Sequence, residues 1–447
     1  MYLHAMLKAR QEAGKPIRVV LIGAGKFGAM FLAQALHTPG LHVMAVADLS
    51  PDKARRSLVA AGWPAERFAA ASPAKALDRG STFLTDDAIA AIGAGGVDVV
   101  VEATGVPEAG IGHALACFKR GRHVVMVNVE ADALAGPLLA HLAAEAGVVY
   151  SLAYGDQPAL ICEQVEWAGS CGFKVVCAGK GTKYLPEFHA SNPDTVWDHY
   201  GITAEQAEAA GMNSRMFNSF VDGTKSALEM ASVANATGLM PQAQGLGFPP
   251  AGVGRLAEVC RPRQDGGALD HKGTLEVVSS LERDGSPVEG DLRWGVYVTF
   301  EAPSDYGTRC FAEYGIVTDD SGRYASLYRP FHFIGLELGL SVAHAGLLGR
   351  ATGAPVGFSA DAVAHAKRGL ETGEVLDGEG GYCVYGKLMA AADSLEMGGV
   401  PIGLVEGAKL KHHVATGHPI LWSNVEMDET KEAVVFRRRM EAALTRE

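Results

Sequence analysis

Between residues 17 and 153 the chain alternates two textures. Short runs rich in Val and Ile recur as "IRVVLIG" (17–23), "HVMAVAD" (42–48), "VDVVVEATG" (97–105), "HVVMVNVE" (123–130) and "VVYSLAYG" (148–155). Between them lie segments with helical spacing of apolar residues, such as "KFGAMFLAQALH" and "PEAGIGHALACFKRG". Strands apolar on both faces and separated by helices predict a parallel sheet covered on both sides. Such sheets bind ligands beyond the C-terminal ends of their strands.

Beyond residue 156 the pattern mixes. "CEQVEWAGSCG" and residues 222–238 read as helices, "FKVVCAGKG" and "LRWGVYVTFEA" as strands. From about 355 to 427 short strands alternate with glycine turns, and "DETKEAVVFRRRMEAALTRE" closes the chain as a charged helix. The predicted fold is α/β. It has an N-terminal nucleotide-binding domain (1–155), a central α+β catalytic and oligomerisation domain (156–354), and a small all-β domain with a terminal helix (355–447).

A length of 447 residues supports several domains. The net charge of −12 argues against a nucleic-acid surface, which needs a basic patch. Seven cysteines contain no C-x-x-C, so neither a disulfide frame nor a zinc ribbon is expected. The two most apolar regions are interrupted by His141 and Glu145, and by Glu337 and His344, so no membrane span is expected. The N-terminus lacks the apolar run of a signal peptide, and the expected location is cytoplasmic.

Chemistry enters at "GAGKFG". Gly23, Gly25 and Gly28 form G-x-G-x-x-G between a strand and a helix, the context that makes this motif a dinucleotide site. It marks the first domain as a Rossmann fold. Gly23 permits the tight turn, Gly25 lets the backbone approach the pyrophosphate, and Gly28 lets the helix pack on the strand. Lys26 and Phe27 lie within the motif and are counted with it. Asp48 ends the second run, where a carboxylate accepts the ribose hydroxyls of NAD and repels the extra phosphate of NADP. NAD is therefore the expected cofactor. NADP stays open because Lys53, Arg55 and Arg56 follow closely. Thr104 and Gly105 fit a loop beside the nicotinamide, with Thr104 also suited to cap a helix. Asn128 and Glu130 either contact nicotinamide or substrate, or are satisfied polar groups at a strand end.

The segment "DGTKSALEMASVANATG" (222–238) is small or apolar nearly throughout, yet Asp222, Lys225, Glu229 and Ser232 fall within about 90° of one another at helical pitch. A solvated face would carry more charge, and an unsupported buried pair is costly. A face lining a reaction cavity resolves the conflict. Lys225 is the candidate base for a hydroxyl proton, with Glu229 and Asp222 orienting it or binding substrate hydroxyls. Lys180 and Lys183, in "AGKGTKY", suit an anion held by a glycine-rich loop, or are simply basic loop residues. Asp156 is a helix cap or a cavity acid, and Asn235 a helix-end or cavity amide. His412, His413 and His418 read as surface residues, and no metal-ligand motif occurs. Asp156, Asp222 and Glu229 leave Mg²⁺ or Mn²⁺ open.

These motifs, with "VVMVNVEAD" and "SLAYGDQPA", together resemble the homoserine-dehydrogenase-like oxidoreductases that include the 1-deoxy-D-xylulose 5-phosphate reductoisomerase-like enzymes. Residues 361–426 resemble a SAF domain. The resemblance implies nicotinamide-dependent hydride transfer on a small polyhydroxylated substrate, a sugar, sugar acid or sugar phosphate, with isomerisation as an option. It also implies a homo-oligomer, dimer or tetramer. Asp48 departs from the NADPH use of the reductoisomerase-like members. The rival expectations are a homoserine dehydrogenase and a non-catalytic NAD-binding sensor or scaffold.

Overall fold

The computed structural model describes residues 2–444. Two compact units emerge, residues 1–160 with 332–356, and residues 161–331 with 357–447.

In the first unit a helix α1 (Leu3–Glu12) precedes β1 (Ile17–Ile22), α2 (Lys26–Ala35), β2 (Leu41–Ala47) and α3 (Pro51–Ala60). Two short helices, α4 (Pro73–Arg79) and α5 (Ala88–Gly93), flank β3 (Phe83–Thr85). Then come β4 (Val99–Glu102), α6 (Pro107–Lys119), β5 (His123–Met126), α7 (Val129–Glu145) and β6 (Tyr150–Leu152). All six strands run parallel in the order β3-β2-β1-β4-β5-β6. That is the Rossmann order, whose crevice opens where the chain reverses direction between β1 and β4. β1 and β4 are almost wholly buried, as strands covered on both faces must be. The three-residue β3 has no apolar run and carries no sequence signal of its own. "HVVMVNVE" holds a shorter strand than its composition suggests. Asn128 accepts the amide of Ala131 at 3.0 Å and so starts a helix at Val129.

Residues 332–356, all but the last two counted with the middle domain from sequence, fall in the first unit. Leu338, Val342, Ala343 and Ala345 join the core of Ile17, Leu21, Phe31 and Val99. Helix α8 (Gln157–Ser170) leads into the second unit.

There β7 (Lys174–Thr182), β8 (Thr274–Ser279), β9 (Val296–Glu301) and β10 (Tyr324–Arg329) form a mixed sheet in the order β10-β9-β7-β8. Between β7 and β8 lie α9 (Val196–Tyr200), α10 (Ala204–Ala209), α11 (Ser214–Val221), α12 (Thr224–Thr237) and α13 (Leu256–Val259), and α14 (Asp305–Glu313) follows β9. The strand expected in "FKVVCAGKG" runs on to Thr182, so "AGKGT" lies in the strand and outside the glycine-rich loop also considered for it. A Cβ on Gly179 or Gly181 would stand 1.7 Å or 1.9 Å from the carbonyl oxygens of Glu276 and Leu292, so close backbone approach requires the glycines. Helix α12 is buried on nearly all sides and is bracketed by Gly223 (φ 90°) and Gly238 (φ 74°), both left-handed.

After the short α15 (Gly339–Ala343) of the first unit, β11 (Ala360–Ala366) and β12 (Val384–Ala390) pair antiparallel, and β13 (Lys409–Leu410) pairs with β14 (Val425–Glu426). The expected all-β module also holds a helix, α16 (Ala391–Met397). The terminal helix α17 (Glu432–Leu444) is tied down by fully buried Arg437, which donates to Asp361 at 2.7 Å and to Glu441 at 2.9 Å. No helix among the described residues is long and apolar enough to cross a membrane. All seven cysteines are free thiols.

Candidate functional site

The glycine turn is built by contact. A Cβ on Gly23, at φ 93°, would lie 2.6 Å from the Ala103 carbonyl oxygen. One on Gly28 would lie 2.2 Å from the Gly23 oxygen. Gly25 has open space and is the N-cap of α2, with no side chain bonding the first-turn amides. Amides at a helix N-terminus that no side chain caps, behind an unobstructed glycine, suit a pyrophosphate. Lys26 is exposed, whereas Phe27 packs against the core.

Asp48 follows β2 and braces this turn. Its Oδ2 accepts the Ala24 amide at 2.8 Å and its Oδ1 the Ser50 amide at 3.0 Å. Lys53 stands 3.8 Å away, half exposed, a weak contact.

At the end of β4, Glu102 is fully buried, a residue the sequence reading passed over inside its apolar run. Its Oε1 accepts the Thr104 hydroxyl at 2.5 Å and lies 3.3 Å from His113 Nδ1, and its Oε2 has no partner among the described residues. Thr104 does not cap α6. Val106 holds that position, ahead of Pro107, and Thr104 Oγ1 accepts the Val106 amide at 3.3 Å. Gly105 is exposed with φ 69°. Asn128 is buried and spent. Besides capping α7, its amide donates to the Val106 oxygen at 2.9 Å, which favours the satisfied-polar alternative. Glu130 is half buried in the first turn of α7. Asp156 is buried before α8, with Oδ1 accepting the Gln157 amide at 2.8 Å.

The second unit gathers the rest around α12. The carboxylate of Glu229 is held by Lys180 of β7, and both side chains are about 5% exposed or less. Lys180 therefore leaves the glycine loop expected for it and becomes the cation that neutralises the helix carboxylate. Glu229, expected to orient Lys225, thus pairs with an amine that β7 supplies. Lys225 itself is half buried in the first turn of α12.

Asp222 lies before the helix, as C-cap of α11, and Oδ1 accepts the Thr224 amide at 2.9 Å. Its Oδ2 meets Lys367 of the C-terminal module at 2.7 Å, again with both side chains buried. Lys367 also donates to the Ser191 and Gly381 oxygens at 2.6 and 2.7 Å, and Asn218 spans from the Ser191 oxygen to the Gly380 oxygen. Lys367 was missed. Its only sequence signal is a lysine ending the apolar run "ADAVAHAK".

Lys183 does not form an anion nest with Lys180. Its ammonium donates to the His199 oxygen at 2.6 Å, and burial, helped by Arg293, lowers its pKa. Asn235 is committed to structure, its Oδ1 accepting the amides of Ser359 and Ala360 at 2.8 and 3.0 Å. Ser232 is buried, its hydroxyl unpartnered among the described residues. His412, His413 and His418 are exposed. Asp222 and Glu229 are each neutralised by a lysine, and among the described residues no group of three or more His, Cys, Asp or Glu could hold a metal ion.

Residues 155–338 match the family model described as oxidoreductase DRL, catalytic domain. That span contains Asp156, Lys180, Lys183, Asp222, Lys225, Glu229 and Asn235. None of the curated proteins matches the chain. Among solved structures, a myo-inositol dehydrogenase from Lactobacillus casei, in complex with NAD(H) and myo-inositol, is similar at 14% identity over 41% of this chain and 52% of its own, with a TM-score of 0.29. The WlbA dehydrogenase from Bordetella pertussis, with NADH and UDP-GlcNAcA, is similar at 18% identity over 38% and 49%, with a TM-score of 0.27. A "probable dehydrogenase" from Thermotoga maritima is similar at 12% identity over 74% and 86%, with a TM-score of 0.35. The chain thus spans about half the length of the first two. These scores are too low for the likeness to bear on chemistry.

Proposed function

We propose that the protein is an NAD-dependent oxidoreductase that oxidises or reduces a CH–OH group of a small polyhydroxylated molecule. The observation that carries this reading is the buried Lys180–Glu229 pair beside Lys225, inside the segment matched by the oxidoreductase model. Buried ion pairs are weak devices for stability, so a function is the better reason to keep one here. The glycine turn braced by Asp48 supports a dinucleotide in the first unit, and the carboxylate favours NAD over NADP.

NAD, when bound, supplies the hydride acceptor or donor. The chain supplies the proton chemistry. Lys225, half buried, takes the hydroxyl proton on its amine or returns it. Lys180, paired with Glu229, donates hydrogen bonds to a substrate oxygen and favours the charge that develops there. Asp222 fixes the start of α12 and thereby the place of Lys225. This reading takes hydride transfer alone. Coupled isomerisation and the kinship with homoserine dehydrogenase-like or SAF-containing proteins rest on the sequence resemblance.

A panel of sugars, sugar acids and their phosphates, with NAD or NADP, is read by nicotinamide absorbance. Turnover on one of them that Lys225→Ala removes, with NAD affinity kept, supports the assignment. Turnover that survives Lys225→Ala refutes the base. NAD binding without turnover on any alcohol favours the sensor instead.

A further inference from the structure

A cavity of about 170 Å³ opens in the second unit between the start of α12, residues 244–248 and β12. That is several times the roughly 30 Å³ share of one water molecule. Gly223 and Ala227 form its floor, with Tyr385 and Lys387 on one wall and Phe248 on another. Ala227 and Glu229 are about 160° apart around the helix, so this cavity and the Lys180–Glu229 pair occupy different faces of α12.

Three features point to a ligand. Lys387 is half buried and has neither hydrogen bond nor ion pair among the described residues, and burial lowers its pKa. Neighbouring Lys367, by contrast, is fully partnered. Beside Lys387, the Tyr385 hydroxyl is likewise without a partner among the described residues, and its ring stacks on His189 at 4.5 Å. His189 is no rival ligand, for its ring nitrogens are taken by Tyr184 Oη at 2.9 Å and the Asp222 oxygen at 2.7 Å.

Second, the opposite wall is held in a strained form. Phe248 is the one non-glycine residue with positive φ, 50°, among the described residues. It stacks on Tyr184 at 3.9 Å, and Glu276, behind it, accepts the Gly247 and Phe248 amides at 2.9 and 3.1 Å. Strain of this kind gathers at ligand sites. Third, Arg283 donates to the oxygen of Gly247, the residue next to Phe248, at 2.9 Å, so a further cation braces that wall. Glu276 is turned into the protein and fully buried.

We propose that this cavity is a second, non-redox site for a small oxyanion, a phosphate or carboxylate, held by Lys387 and the Tyr385 hydroxyl. Its wall reaches Asp222 through His189, so an occupant acts on the start of α12.

The probes are inorganic phosphate and gluconate, titrated into the full chain by calorimetry at matched ionic strength, with chloride as control. At least one binds measurably tighter than chloride, and which one binds separates the phosphate source from the carboxylate source. Lys387→Met weakens that binding at least ten-fold, Tyr385→Phe weakens it less, and Glu229→Gln leaves it unchanged. The Lys387 ammonium has no hydrogen bond or ion pair among the described residues, so its variant keeps the wild-type melting temperature in chloride. The proposal is overturned if neither probe exceeds chloride, if Lys387→Met binds as the wild type does, or if Glu229→Gln abolishes binding. Because Glu229→Gln acts on the proposed dehydrogenase chemistry from another face of α12, failure of either idea is read separately in protein that is folded in chloride.

Discussion

At the residue scale the decisive fact is that Asp222 and Glu229 each have their own lysine. A carboxylate in a dry setting needs a cation more than it needs a neighbour in sequence. Lys180→Met leaves the buried Glu229 charge uncompensated. The expected loss is about 3–5 kcal/mol of stability, measured as a lower urea midpoint, and turnover falls below detection. Lys180→Met with Glu229→Gln recovers much of the stability and none of the turnover. Equal stability of the single and double variants would show that the pair is not coupled. Asp48 makes a second case. Asp48→Ser removes both the carboxylate proposed to hold the ribose and the acceptor for the Ala24 amide. The ratio of NAD to NADP affinity then falls about ten-fold, roughly 1.4 kcal/mol, in a fluorescence titration. An unchanged ratio would mean that Asp48 only braces the turn.

At the element scale, local signals in the sequence located helices and strands but not what crosses them. Helix α12 was legible because Gly223 and Gly238 bracket a run of small residues, and the Rossmann strands because Val and Ile fill both faces. Which side chain meets Glu229 was not legible. A helical wheel places Lys225 beside it, whereas β7 brings Lys180 from 49 positions away. Gly179 and Gly181 left the end of that strand open to a loop reading as well, since glycine serves close approach as well as turns. Asp222 looked like part of α12 for the same reason, though it ends the helix before. Its partner Lys367 pins the start of α12 to β11, which no local pattern could disclose. Lys367→Met is expected to cost about 3–5 kcal/mol. It should lower kcat more than it raises KM, because Lys225 loses its fixed position. A variant as stable and active as the wild type would make the C-terminal module a passive passenger.

At the scale of the whole molecule, stability is tied to acidity through a histidine that cannot take a proton cheaply. His365, on β11, is buried, its Nδ1 3.1 Å from the Val363 oxygen, and burial pulls its pKa from 6.5 down to about 4. Lys387, His189 and His418 face it from the surrounding elements and add to the lowering. In the unfolded chain the ring takes a proton near pH 6.5. The folded state therefore binds fewer protons between those values. The contribution of this group is fully present above pH 6.5 and is lost as pH falls toward 4. Its size is at most about 3 kcal/mol. In urea midpoints taken from pH 7.5 to 4, His365 should contribute a fall toward acid that His365→Gln removes. Glu276 opposes it in part, since its buried carboxyl is raised to about 7 and favours the folded state at low pH. The two effects overlap between pH 4.5 and 6.5, so the wild-type curve should be shallow there, and His365→Gln should turn it into a rise toward acid. A decline that persists in His365→Gln would place the acid sensitivity elsewhere, in the carboxylates that the buried lysines hold.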